Sequence, residues 1–246
     1  GTEVENAVRW ALEIGYRHID TASFYENEAG VGKAVEESEV DREDIFITTK
    51  LWNNQQGYDN ALKAFEESRK KLRIDVVDLY LVHWPIEGLF KETYKALEKL
   101  YAEGKVRAIG VSNFLVHHLN DLLDDAEVVP AVNQVELHPF LREKQVHDYC
   151  TNKGIQIEAW SPLSRGRFLD HEVITDIAKK HGKSPAQVLI RWDIQHKIVT
   201  IPKSVHKERI RENSEVFDFE LTDEEMSRLD SLDADRRIGP HPDNMS

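Results

Sequence analysis

The segment DVVDLYLVHWP (75–85) is an almost continuous apolar run that ends in His83 and Trp84. A short run of this kind, rich in β-branched and aromatic residues, is typical of a buried strand. Stretches with helical periodicity flank it, DNALKAFEESRKKL (59–72) before it and FKETYKALEKLYAEG (90–104) after it. A strand that alternates with helices in this way favours a parallel sheet.

The same pattern repeats along the chain, and each strand-like segment ends in polar residues. In a barrel of eight strand–helix units, the carboxyl ends of the strands carry the catalytic residues. We therefore expect an α/β fold, a (β/α)8 TIM barrel, as a single domain over residues 1–246. The other six segments are RHIDTASFY (17–25), DIFITTKLW (44–52), KVRAIGVSNF (105–114), PAVNQVELHP (130–139), GIQIEAWSPL (154–163) and IVTIPKSV (198–205).

The chain opens with a helical pattern, TEVENAVRWALEIG (2–15), and no strand-like segment precedes it. Thr2 followed by Glu5 predicts a capped start, and Gly15 predicts the end of this helix. Only seven strands are then counted where the closed barrel has eight. We expect the first strand and an N-terminal hairpin to be absent from this sequence, which calls for about 25–35 further residues before Gly1.

Composition excludes several classes of function. The net charge of −13 argues against nucleic acid as the main partner. The single cysteine, Cys150, cannot support a disulfide framework and fits a reducing compartment. No run approaches the roughly 18 apolar residues of a membrane span, and no signal-peptide pattern opens the chain. We expect a cytoplasmic protein with no membrane partner, which ends in an aperiodic tail over residues 234–246.

Four strand-end residues make chemical sense together: Asp20, Tyr25, Lys50 and His83. Lys50 lies in the apolar segment IFITTKLW, where a buried cation needs a partner, and Asp20 is the evident one. At about 4 Å and an effective dielectric of about 20, a lysine cation stabilises a nearby phenolate by roughly 4 kcal/mol before desolvation. Tyr25 is then a proton donor to a carbonyl oxygen, and His83 orients that carbonyl by a hydrogen bond.

A second set of residues inverts the local charge of this acidic chain. KIVTIPKSVHKERIREN (197–213) holds five lysines and arginines. In such barrels, the loops after the last strands and the start of the next helix bind phosphate. No GxGxxG occurs, so a Rossmann site is excluded. Ser112, Asn113 and Gln134 follow consecutive strands and are suited to a carboxamide, and Trp160 is suited to stacking on a planar ring.

At these residues, over the whole length, the chain resembles the aldo-keto reductase family. It is most similar to the bacterial branch of 2,5-diketo-gluconate reductases and broad aldehyde reductases. The motifs are HIDTASFY, ITTKLW, LVHWP, IGVSNF, NQVELHP, AWSPL and IPKSV. The resemblance implies NADPH/NADP+ as the cofactor and a small-molecule carbonyl substrate, reduced to an alcohol. It implies a catalytic tetrad of Asp20, Tyr25, Lys50 and His83, no metal, and a monomer.

The resemblance also implies the cofactor contacts. It implies that the carboxamide is bound by Ser112, Asn113 and Gln134, and that the nicotinamide ring stacks on Trp160. It implies that the pyrophosphate contacts Ser161 and Leu163. It also implies that the phosphate of the adenosine is bound by Lys203, Ser204, Val205 and Arg209, and the adenine by Glu212 and Asn213. We expect substrate contacts from Phe24, Trp52, His83 and Trp84. The short SRGR loop (164–167) predicts a reduced strap over the cofactor.

Two other readings compete with a carbonyl reductase. One is a metal-dependent hydrolase on the same barrel, with ligands drawn from His18, Asp20, His83, Glu136 and His138. Lys50 opposes it, because a cation beside the metal is repelled. The other is a redox-sensing subunit with little turnover, which the complete tetrad opposes. The sequence does not identify the physiological carbonyl substrate, since the missing N-terminus and the tail shape the pocket.

Overall fold

The computed structural model describes residues 1–245 and divides them into two compact units. The first holds Gly1–Asn133 together with the chain from Pro242 onward, and the second holds Gln134–His241. Strands and helices alternate as in a (β/α)8 barrel, with seven strands and ten helices in the described residues. The expected α/β fold class is therefore confirmed, and the seven-strand count agrees with the sequence.

The first unit is a parallel sheet with helices in its crossovers. Its strands pair in chain order, with Asp20 opposite Thr48 and Lys50 opposite Leu81. β3 is buried along its whole length, as a parallel strand covered by helices must be. The elements are α1 (Thr2–Ile14), β1 (His18–Asp20), α2 (Glu28–Glu36), β2 (Phe46–Leu51), α3 (Tyr58–Leu72), β3 (Val77–Val82), α4 (Phe90–Ala102), β4 (Val106–Ser112) and α5 (Val116–Leu123).

The second unit continues the alternation. Strand β5 (Val132–Glu136) begins two residues before its boundary. Within the second unit, the strand that contains Ala159 pairs in parallel with the strand that contains Thr200. The elements are α6 (Lys144–Lys153), β6 (Gln156–Trp160), α7 (Glu172–His181), α8 (Pro185–Gln195), β7 (Val199–Thr200), α9 (Lys207–Ser214) and α10 (Asp223–Asp230). In the described residues, no helix is both long enough and apolar enough to cross a membrane.

Two details of the sequence prediction need correction. Thr2 is the first residue of α1 rather than its cap, which is Gly1 without a side-chain bond. A capping residue must have non-helical backbone angles, so the predicted Thr2 cap is wrong. Gly15 does end α1, in the left-handed conformation. The strands are also shorter than the segments quoted from the sequence, because part of each segment lies in a loop, as His83 and Asn113 do, whereas Asp20, Lys50 and Ser112 remain within their strands.

The helix α2 was missed because EAGVGKAVE contains two glycines, which lower helix propensity. Packing explains both. A Cβ on Gly30 would lie 2.5 Å from Val4 Cγ1 of α1, and a Cβ on Gly32 would lie 2.4 Å from the carbonyl oxygen of Leu72 at the end of α3. Helix α2 therefore fits between its neighbours only where it carries no side chain.

Because of this packing, Gly→Ala substitutions in α2 should change stability in the opposite direction to Gly→Ala in an ordinary helix. Gly→Ala in an open helix stabilises by about 1 kcal/mol. Gly32→Ala should instead destabilise by about 1–3 kcal/mol, because the new methyl meets backbone that cannot move aside. Gly30→Ala meets only a side chain and should cost less. Urea unfolding of both variants measures this, and a Gly32→Ala protein as stable as wild type would contradict the packing argument.

Candidate active site

A buried ion pair lies at the ends of β1 and β2. Lys50 is fully buried, and its Nζ donates to Asp20 Oδ1 at 2.5 Å and to the Thr21 carbonyl oxygen at 2.9 Å. The register of the two strands brings this about, since Asp20 lies opposite Thr48, two residues before Lys50. An ammonium group is retained in such a place only when it is paired and hydrogen-bonded. The structure thus shows the partnership expected from the sequence.

Tyr25 lies on the loop that follows β1, in a turn of 3-10 helix over Ser23–Tyr25. The Ser23 hydroxyl donates to the carbonyl oxygen of Lys50 at 3.0 Å and so ties this turn to β2. Lys50 Nζ lies 5.1 Å from the centre of the Tyr25 ring. The tyrosine remains 46% exposed, so a ligand can reach it. The cation therefore lies close to an exposed phenol.

His83 follows β3 directly and is buried. Burial, and then the positive charge of Lys50, hold the pKa of His83 well below its usual range, so the ring is neutral. Its Nδ1 is buried and has no hydrogen-bond partner among residues 1–245. A buried donor without an acceptor is rarer than an unused acceptor, so we place the proton on Nε2. His83 is then a neutral hydrogen-bond donor.

Aromatic rings surround His83. Phe24 stacks on Trp52 with ring centres 3.8 Å apart, and Trp52 meets the His83 ring edge-on at 5.0 Å. The Tyr25 ring lies 5.9 Å from His83 and almost perpendicular to it. Phe24 is 53% exposed, whereas Trp84 is 6% exposed and lies parallel to His83. Of the expected substrate contacts, Phe24 is exposed and Trp52 half-buried, whereas Trp84 is buried beside His83.

The amide of Asn113 links the end of β4 to this group. Asn113 has a left-handed backbone, with φ of 65°, and its Nδ2 donates to the His83 carbonyl oxygen at 3.0 Å and to Ser112 Oγ at 3.1 Å. Both residues are buried. Asn tolerates this conformation better than most residues. The contact to the backbone of His83 places two expected carboxamide ligands, Ser112 and Asn113, beside this histidine.

Four of the expected cofactor residues lie at the ends of β5 and β6 in the second unit. The Gln134 amide donates from Nε2 to the buried Glu158 carboxylate at 2.6 Å, which fixes the orientation of the amide. Trp160 ends β6 and is half-buried. Ser161 has a left-handed backbone and accepts the Ser164 N–H at 2.8 Å, so the chain turns sharply around Leu163.

The remaining six expected cofactor residues lie in the loop before α9 and within this helix. Ser204 Oγ accepts the N–H of His206, the residue before the helix, at 3.1 Å. Lys203 and Arg209 are exposed, and neither forms an ion pair within residues 1–245. Gln187 donates to the Glu212 carbonyl oxygen at 2.9 Å and secures the helix. Asn213 is buried and Val205 is half-buried. Unpaired cations beside a helix N-terminus fit a phosphate group.

The residues expected as metal ligands under the hydrolase hypothesis form hydrogen bonds with other protein groups. His18 Nε2 bonds Thr48 Oγ1 at 2.8 Å, Asp20 holds Lys50, and Glu136 bonds His138 at 3.1 Å. Among the described residues, the one group with metal-ligand spacing is a different one, made of His117, His118 and Asp243. No motif of the sequence points to this group, since Asp243 lies more than 120 residues after His118.

In the group of His117, His118 and Asp243, His118 caps α5 and both histidines face the Asp243 carboxylate. The Leu115 N–H donates to His118 Nδ1 at 3.1 Å, so in the neutral ring the proton lies on Nε2. That nitrogen faces Asp243 Oδ1 at 3.3 Å, and His117 Nε2 lies 2.9 Å from the same oxygen. A metal at His118 Nε2 would require the opposite tautomer and would break the cap of α5.

Comparison with known proteins identifies the class. The sequence pattern of the Aldo/keto reductase family matches residues 2–234, and the chain belongs to that family. Its members are oxidoreductases that act on carbonyl groups. It is 57% identical over 245 residues to a protein named glyoxal reductase from Bacillus subtilis (strain 168), covering 100% of this chain and 89% of that one.

Two further relatives narrow the comparison. The chain is 46% identical to methylglyoxal reductase DkgA of Escherichia coli (strain K12), covering 98% of this chain and 88% of that one. A crystal structure of a Gox0644 mutant in complex with NADPH superposes with a TM-score of 0.95 at 45% identity, covering 100% of this chain and 90% of that one. The expected resemblance is confirmed, and at the level of the family so is NADP(H) as the cofactor.

The buried ion pair gives a prediction about stability. Asp20→Asn leaves the Lys50 ammonium buried without its counter-charge and should destabilise the protein by about 3 kcal/mol or more. Lys50→Met combined with Asp20→Asn removes both charges and should restore part of that loss. Thermal and urea unfolding measure both variants. If the double variant proved less stable than Asp20→Asn alone, the ion pair would not be the reason for the loss.

Proposed function

We propose that this protein reduces aldehydes and ketones with NADPH, and that Tyr25 is the proton donor. The observation that carries the proposal is the placement of the fully buried Lys50 ammonium 5.1 Å from the Tyr25 ring. A cation in this position stabilises the phenolate that remains once the proton has left. Asp20 keeps the cation in place, as its bond to Nζ at 2.5 Å requires.

Each residue of the site has a separate role in the reaction. NADPH, when bound, supplies the hydride that reaches the carbonyl carbon. Tyr25 gives its hydroxyl proton to the carbonyl oxygen as negative charge develops there, so that an alcohol and NADP+ leave. The neutral His83, with its proton on Nε2, donates a hydrogen bond to the same oxygen and orients it. Phe24 and Trp52 cover the substrate and exclude water from this step.

The cofactor is held at both of its ends by this chain. Ser112, Asn113 and Gln134 receive the carboxamide, and Trp160 stacks on the nicotinamide. Ser161 and Leu163 contact the pyrophosphate. Lys203, Ser204, Val205 and Arg209 receive the phosphate of the adenosine, and Glu212 and Asn213 the adenine. What supports this is the lack of ion pairs at Lys203 and Arg209 within residues 1–245, since two exposed cations beside a helix start suit a dianion.

The substrate class that we propose is small aldehydes, with 1,2-dicarbonyl compounds first among them. Two relatives that are 57% and 46% identical carry the names glyoxal reductase and methylglyoxal reductase. The surface that Phe24 and Trp52 offer is flat and apolar, which suits a small planar carbonyl. We also propose that the protein is a single domain, cytoplasmic and monomeric. Size-exclusion chromatography with light scattering tests whether it is a monomer.

The role of Tyr25 predicts a selective loss of turnover. Tyr25→Phe should lower kcat with methylglyoxal by about 10²–10⁴, because the proton donor is gone. The Kd for NADPH should stay within about twofold of wild type, since the ring remains. Tyr101→Phe, at an exposed tyrosine of α4, is the matched control and should leave both unchanged. NADPH oxidation followed by absorbance gives kcat, and wild-type turnover by Tyr25→Phe would refute the assignment.

The role of Arg209 predicts a change in cofactor preference. Arg209→Ala should weaken NADPH by about ten- to a hundredfold and leave NADH nearly unchanged, because only NADPH carries the 2′-phosphate. Arg211→Ala is the control, since two residues further along α9 is about 200° around the helix. Calorimetric titration of both cofactors measures this. Equal losses for NADPH and NADH, or an equal effect of Arg211→Ala, would contradict a specific contact.

A further inference from the structure

The buried carboxylate of Glu136, at the end of β5, binds the tail of the second unit. Its Oε1 accepts the Ile238 N–H at 2.7 Å, and its Oε2 accepts the Gly239 N–H at 2.8 Å. His138 Nε2 also lies 3.1 Å from Oε1. These donors hold the pKa of Glu136 below its usual range against the opposing effect of burial, so the group stays ionised. Two backbone N–H groups on one carboxylate fix the position of the chain there.

The tail approaches Glu136 along an ordered path. The Phe140 carbonyl oxygen accepts the N–H groups of Ala234 and Arg236, the latter at 2.9 Å. The Arg237 guanidinium pairs with Glu143. The residues that were expected to be an aperiodic tail are therefore anchored at successive positions before they reach the carboxylate. This order is what a segment needs if it is to support another group.

That group is the indole of Trp160. A Cβ on Gly239 would lie 2.5 Å from Trp160 Cη2 and 3.4 Å from Cζ2, so the glycine backbone packs directly on the edge of the ring. The same Cβ would lie 3.2 Å from Glu136 Oε2. Gly239 has no left-handed backbone that would require glycine. The close approach of the ring is therefore the reason for glycine at this position.

We propose that Glu136 and Gly239 are positioning residues that hold the Trp160 indole in the orientation in which it stacks on the nicotinamide. The inference rests on the proposed function, because it gives Trp160 that role. The carboxylate fixes the tail, the tail presents a glycine, and the glycine forms the edge against which the indole lies. The effect reaches only the nicotinamide end of the cofactor.

The experiment compares NADPH with 2′,5′-ADP, which keeps the adenosine phosphates and lacks the nicotinamide. Gly239→Ala should weaken NADPH by about three- to tenfold, the range for a displaced aromatic contact, and leave 2′,5′-ADP unchanged. Glu136→Gln, which cannot accept both N–H groups, should shift NADPH in the same direction. Pro240→Ala, at the exposed next residue of the tail, is the control and should change neither Kd. Calorimetric titration measures all of them.

A double variant separates positioning from damage to the fold. In a Trp160→Ala background, Gly239→Ala should have no further effect on NADPH binding, because the ring that it displaces is gone. If Gly239→Ala weakened NADPH and 2′,5′-ADP equally, or if it weakened NADPH as much without the indole, the positioning role would be refuted. An unchanged Kd for NADPH in both Gly239→Ala and Glu136→Gln would also refute it. A wild-type protein that bound neither ligand would instead refute the proposed function.

Discussion

The ammonium group of Lys50 sets the requirement that the rest of the candidate site meets. It is fully buried in a β strand, where an unpaired charge would strongly destabilise the fold. The Asp20 carboxylate and the Thr21 carbonyl oxygen accept its hydrogen bonds, and both lie where β1 ends and the chain turns. That turn carries Tyr25. The Tyr25 ring thus lies beside the cation because the same short segment also carries hydrogen-bond acceptors of Lys50.

Burial, reinforced by the same charge, keeps His83 neutral. Burial disfavours an imidazolium, and the nearby cation disfavours it further, so the pKa falls well below its ordinary value. A neutral ring with its proton on Nε2 can donate one hydrogen bond to an oxygen of a bound molecule. Asn113, bonded to the backbone of His83, ties the expected carboxamide ligands to this arrangement. The buried cation therefore lies close to the Tyr25 ring and adds to the effect of burial on His83.

The sequence was informative wherever a local pattern carries the chemistry. Lys50 in an apolar strand demanded a partner, and Asp20 was the evident one. Helix α2 was missed because Gly30 and Gly32 look like helix breakers until the backbone of Leu72 is seen against them. The contact of Glu136 with Gly239 spans 103 residues, and no periodicity reports a hydrogen bond at that separation. A sequence pattern indicates whether a residue faces the core or the solvent, whereas only the fold shows which residues contact it.

Buried carboxyl groups of the second unit show how the number of donors decides charge. Glu136 receives two backbone N–H groups and a histidine, and its pKa is lowered although burial opposes this. Asp193 is also buried, but within residues 1–245 neither oxygen has a partner in hydrogen-bond geometry. The Thr200 hydroxyl acts weakly in favour of the charge, and burial raises the pKa of Asp193 well above its ordinary value. Asp193 is therefore neutral and suited to packing. An ionised Glu136 attracts backbone N–H groups more strongly than a neutral acid would, so a fixed tail requires the carboxylate form.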